Sequence, residues 1–147
     1  MATLTPTLTL TSTDAFENQS ISLSVTDSLT IEAPMSDISR MATNDNIGNG
    51  AGVIVGEDTN QYYVYVKHTG LLASNGTSSS HASNDFVTFT DVDGTAGALT
   101  PKLQPEEFMF LPIKEGDGSA GSGGDGGLKV VAGGADVIIE FGYWKRS

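Results

Sequence analysis

Two histidines, His68 and His81, are the side chains of this 147-residue chain best suited to act as bases near neutral pH. A histidine catalyst needs a nucleophile or an acid held beside it in a recognisable frame. His68 closes the strand-like run "YYVYVKH" just ahead of Thr69 and Gly70, and His81 lies in the small polar stretch "ASNGTSSSHASND". With 15 serines in the chain, a serine placed near either histidine carries no information. No nucleophile elbow, no H-E-x-x-H and no paired-carboxylate motif occurs. Both histidines read as strand-end or exposed residues, so the sequence predicts no catalytic residue and no enzyme.

The remaining motifs with chemical content are weak. "GDGSAG", from Gly116 to Gly121, fits G-x-G-x-x-G on paper. More glycines and then a strand follow it, where a dinucleotide site needs a helix. "TDVDGTAG" and "NDNIGNG" carry Asp and Asn clusters, but Gly94 comes too early after Asp91 and Asp93 for a calcium loop. Ile47 stands where a ligand is required. Turns rich in Asp and Asn explain both, and no cofactor or metal is expected. The sequons at Asn18 and Asn75 match a pattern too short to weigh.

Aromatic residues offer a different chemistry, that of contact. Tyr63 and Tyr65 share a strand face with Lys67, and Tyr62, Val64 and Val66 share the other. Trp144 sits in the closing "FGYWKRS". Such residues stack on sugars, anchor subunit contacts or pack across strands.

The elements that must position these residues are strands. Period-two alternation runs through the N-terminus, with Leu4, Pro6, Leu8 and Leu10 on one face and Thr3 to Thr11 on the other. Pro6 lacks a ladder donor, so residues 1–12 are expected to form an edge strand or an arm. Alternation returns at Ile21, Leu23 and Val25. "AGVIVGE" and "QYYVYVKH" read as a hairpin through "EDTN"; "LQPEEFMFLPI", apolar on both faces, reads as a central, doubly covered strand. "LKVVA" and "ADVIIEFGYWK" read as a final pair around Gly133 and Gly134. The Gly-rich segment 115–127 reads as a flexible exposed loop. Turn signals every 8–12 residues predict an all-β fold of about eight to nine strands in one domain, residues 1–147: an antiparallel β-sandwich, jelly-roll-like.

Composition bounds the rest. Seven basic against 18 acidic residues give a net charge of −11, which disfavours nucleic acid as a partner. No apolar run is long enough to span a bilayer, and no membrane association is expected. There is no Cys, which removes disulfides and thiolate chemistry together.

The order of segments carries a resemblance. A Thr/Ser-rich alternating N-terminus precedes "YYVYVKHTG", then "LQPEEFMFLPI", then "LKVVAGGADVIIEFGYWKR". This resembles the small virion structural proteins of tailed bacteriophages of marine and cyanobacterial hosts. Their pattern runs Y-V-Y-V-K-N-T-G, L-x-P-G-E-F-x-F-L-P and a final L-x-V-x-A strand ending V-E-Y-G. The likeness spans roughly Gln61 to Arg146. Here Glu106 stands in place of Gly, His68 in place of Asn and Phe141 in place of Tyr.

The resemblance implies a capsid decoration or cement subunit. Such a subunit is made in the host cytoplasm, sits on the capsid exterior and binds the major capsid protein and itself, with a trimer favoured. Its expected interface residues are Tyr63, Tyr65, Trp144, Leu4, Leu8 and Leu10. The rival reading is a carbohydrate- or host-receptor-binding sandwich, which exposed Tyr63, Tyr65 and Trp144 in a row would favour.

Overall fold

A computed structural model describes residues 1–16, 19–32, 37–45, 51–56, 60–77, 85–90, 99–113 and 127–147. The expected Gly-rich loop falls almost wholly outside them, as do His81, Asn18 and the Asp91 to Gly94 cluster. Among the described residues the chain is all strand and turn, with twelve strands and every pairing antiparallel. It divides into two compact units, Met1–Pro34 with Arg146–Ser147, and Met35–Lys145.

The first unit is a ribbon. Strand β1 (Ala2–Leu4) pairs with β4 (Leu29–Ile31), and β2 (Thr7–Phe16) pairs with β3 (Gln19–Thr26). Leu4 opposes Leu29 and Thr7 opposes Thr26, so the register is the same on both sides of the break at Thr5 and Pro6. Pro6 has no N–H to donate, which interrupts the ladder. Its carbonyl still accepts from Asp27 N at 3.1 Å and holds the two strands in step. The N-terminal strand is therefore not a lone arm. Its partner is the alternating segment that follows it.

The second unit is a β-sandwich. One sheet has the order β10 (Phe108–Ile113), β7 (Tyr62–Leu72), β12 (Val137–Lys145), β5 (Ser39–Ala42). The other has β6 (Val53–Val55), β11 (Leu128–Ala132), β8 (Val87–Thr90), β9 (Leu99–Leu103). Val64, Val66, Ile139 and Phe141 of the first sheet meet Val87, Phe89, Leu128 and Val130 of the second in one core. Each is the inward member of an alternating strand, and each such burial contributes about 1.5–3 kcal/mol.

Three sequence expectations are corrected here. Val53–Val55 and Tyr62–Leu72 do not form a hairpin, since β6 pairs with β11 in one sheet and β7 lies in the other. All three residues of β6 are buried, so it has no wet face of the kind a surface hairpin shows. Likewise β11 and β12 sit in different sheets, and the chain crosses between them at Gly133. There Gly133 N donates to Phe86 O at 2.8 Å, and a side chain would stand 2.3 Å from the Phe86 ring. Finally β10 is an edge strand, not a central one.

Candidate functional site

The outward face of the β10–β7–β12–β5 sheet collects the aromatic residues. Register sets Pro112, Tyr63 and Trp144 in one row, Phe110, Tyr65 and Gly142 in the next, and Phe108, Lys67, Glu140 and Arg40 in the third. Tyr63 stacks on Phe110 with centroids 6.0 Å apart and planes 11° from parallel. Trp144 tilts against the same Phe110 at 6.4 Å, and Tyr65 against Phe108 at 6.4 Å. Gly142 makes room for the indole: a Cβ there would lie 3.0 Å from Trp144 Cη2. The inward tyrosines belong to the core, where Tyr62 meets Tyr143 edge to face at 5.9 Å.

Exposure differs sharply across this face. Phe108 is 59% exposed and Phe110 37%, whereas Trp144 is only 8% exposed and Tyr63 and Tyr65 are half-buried. Of the residues expected at an interface, Tyr63, Tyr65 and Trp144 are thus brought together, with the indole largely covered. Leu8 and Leu10 lie side by side in the ribbon and are exposed, while Leu4 is half-buried. Sequence reasoning misses Phe108 and Phe110 because apolar residues on both faces of a segment read as burial. Their alternation is the signal that marks them as facing one way.

A turn and a bulge position this edge strand. Pro105 and Glu106 are the central residues of a turn closed by Glu107 N donating to Gln104 O at 3.0 Å. Glu106 has φ 72, left-handed, and is the one non-glycine residue so placed among those described. Proline followed by a left-handed residue is the signature of a type II turn, whose third position favours Gly. The glutamate therefore occupies a conformation that favours Gly. Opposite it, Thr69 and Gly70 (φ 75) are extra residues between the pairs His68–Ile139 and Leu71–Ile138. Thr69 Oγ1 donates to Ile138 O at 2.6 Å. His68 N donates to Glu107 O and Glu106 N to His68 O, both at 2.9 Å, which locks bulge and turn together.

His68 itself is fully buried, and its Nδ1 accepts from Gly70 N at 3.0 Å. It is a structural acceptor two residues before the amide it serves, the geometry an Asn side chain also adopts. Glu106→Gly should remove left-handed strain of about 1–2 kcal/mol while restoring glycine's unfolded-state freedom. A net gain of about 0.5–1 kcal/mol in urea unfolding is expected; a loss would show that the Glu106 side chain matters more than its backbone.

Charge on this face is confined to one end. Arg40 bonds Glu140 Oε2 through Nη2 at 3.1 Å and Nε at 3.2 Å, an exposed pair worth under about 1 kcal/mol. Tyr65 donates to Glu140 Oε1 at 3.2 Å. Burial, then that hydrogen bond, then the carboxylate's charge hold the phenol above its ordinary 10. Tyr65 is a neutral donor at any physiological pH.

Elsewhere, Asn75 Oδ1 accepts from Thr77 N and Oγ1 at 3.0 and 2.7 Å, so the sequon there is a local turn. Asp45 and Asp136 line a shallow cavity of about 260 Å³ with Asn44 and Ser74. Asp45 Oδ2 accepts from Ala42 N and caps its own backbone corner, and Asp136 Oδ1 accepts from Thr43 Oγ1, tying two distant segments together. Among the described residues no three His, Asp or Glu gather as metal ligands would. No family model matches this chain, and no significant match was found among curated proteins or solved structures.

Proposed function

We propose that this chain is a non-enzymatic structural subunit of a virion, a capsid decoration or cement protein. In this reading it binds the major capsid protein on the capsid exterior through the aromatic sheet face, and associates with copies of itself. The order of strand motifs from Gln61 to Arg146 supports the virion context. The observation that carries the docking role is the pair Phe108 and Phe110, exposed on a strand whose outer edge pairs with no other among the described residues. Apolar rings beside an open ladder suit a protein partner, which supplies both a surface and a strand.

The parallel Tyr63–Phe110 stack favours a second reading, a carbohydrate- or receptor-binding sandwich. Sugars need hydrogen bonds beside the ring. The two most exposed rings here are phenylalanines, which offer none, so protein docking is preferred.

Co-sedimentation with coat shells of a host-matched phage tests the proposal. Phe108→Ser with Phe110→Ser should weaken retention by at least about tenfold, as for two aromatic anchors, while leaving the folded sandwich intact. Unchanged retention removes the aromatic face from the contact. Absence of binding by the parent chain, with capture on a glycan array, transfers the face to the second reading.

A further inference from the structure

We infer that copies of this chain associate through the apolar face of the N-terminal ribbon. Leu8 opposes Val25, Leu10 opposes Leu23 and Ser12 opposes Ile21, all on one face. Leu8, Leu10, Ile21, Leu23 and Val25 are each 38–50% exposed. Along the same face toward the ribbon's base, Leu4 and Leu29 are half-buried and Ile31 is fully buried. The apolar pattern is uniform along the ribbon, and its exposed part lies beyond the Pro6 break. Five such side chains in one stripe make a patch of roughly 400 Å², the size that marks an interaction site on a soluble protein. A two-stranded ribbon is also marginal in water without a covered face.

Charge points to a second copy as the occupant. Neither residues 1–13 nor residues 19–26 contain a charged side chain, whereas the chain as a whole stands at −11. Copies that approach by other surfaces repel one another, and the ribbon is where they do not. The face is also matched to itself: two leucines on one strand lie against Val25, Leu23 and Ile21 on the other. Across a two-fold axis each leucine row meets the partner's mixed row. Two faces pressed together bury roughly 800 Å², below the roughly 1,200 Å² of the smallest stable interfaces. The association is therefore reversible and rises with local concentration, as on a lattice that holds copies side by side. This assigns a surface to the self-association proposed above, and rests on that reading only for the statement that copies meet.

Sedimentation velocity across the micromolar range, on the parent and on Leu10→Thr with Leu23→Thr, decides it. Threonine keeps strand propensity and makes this face like the Thr/Ser face behind it. The parent should rise from 15.3 kDa toward a multiple of that mass. The double variant should need at least about tenfold more protein to do so, with an unchanged circular dichroism spectrum. Association unaffected by the substitutions overturns the ribbon as the contact and leaves the oligomer reading standing. A parent that stays monomeric in solution and on coat shells overturns both. A variant that self-associates normally but no longer binds coat shells reassigns the ribbon to a different partner.

Discussion

Replacing Gly52 by alanine is expected to cost the sandwich more than about 3 kcal/mol, since the added methyl group meets backbone on two sides. Gly52 has φ 73, where an L-residue is strained by about 1–2 kcal/mol before any contact is considered. The contact is worse than the strain. A Cβ would lie 2.3 Å from Val130 O and 2.9 Å from Thr43 O, both backbone atoms that no rotamer change can move. Gly52 is also pinned from both sides: its N donates to Asp45 O at 3.1 Å, and its O accepts from Val130 N at 2.8 Å. Relief by displacement would break the start of β6 and its ladder to β11. Denaturant midpoints for Gly52→Ala and for Ala51→Gly at the exposed neighbour make the comparison. A Gly52→Ala protein within 1 kcal/mol of the parent would mean that β6 is not held as described.

The second large effect falls on His68, through a pair of substitutions with opposite consequences for one hydrogen bond. His68→Ala removes a fully buried side chain and leaves Gly70 N without its acceptor, a loss of about 3 kcal/mol or more. His68→Asn removes ring volume but returns an oxygen that reaches the amide two residues on, so roughly half of that loss should be recovered. The difference between the variants isolates the acceptor from the packing. If asparagine proves no better than alanine, the bulge is held by other contacts than this acceptor.

How much of this was legible beforehand depends on whether the information was local. The faces of Tyr62–His68 follow from alternation alone, and the structure has Val64, Val66 and His68 inward with Tyr63 and Tyr65 outward. Leu8 and Leu10 are likewise on one face of a strand, as their spacing requires. The turn before Phe108 was half visible: Pro105 announces it, but Glu106 hides the left-handed position that Gly would have declared. Strand partners were not legible. Adjacent strands in sequence invite a hairpin, yet β6 joins β11, more than seventy residues later, at the edge of the second sheet, and local spacing carries no sign of a partner that distant. Nor does an apolar residue on each side distinguish a central strand from an edge strand with an open sticky face, which is what Phe108–Ile113 became.

The place of β12 between β7 and β5 has a consequence for how the molecule is made. The ribbon's ladders close between residues near in sequence, from Phe16–Gln19 outward to Ala2–Ile31, and can zip as soon as they exist. The sandwich is the opposite case. Arg40 must wait for Glu140, 100 residues later, and β7 and β5 share no ladder but are joined only through β12. Loop closure on that scale makes folding slow, on the order of milliseconds to seconds. During synthesis the ribbon's partners are thus all present early, and their leucines stand bare, in a pairing that is marginal alone, through the whole interval in which the sandwich is still open.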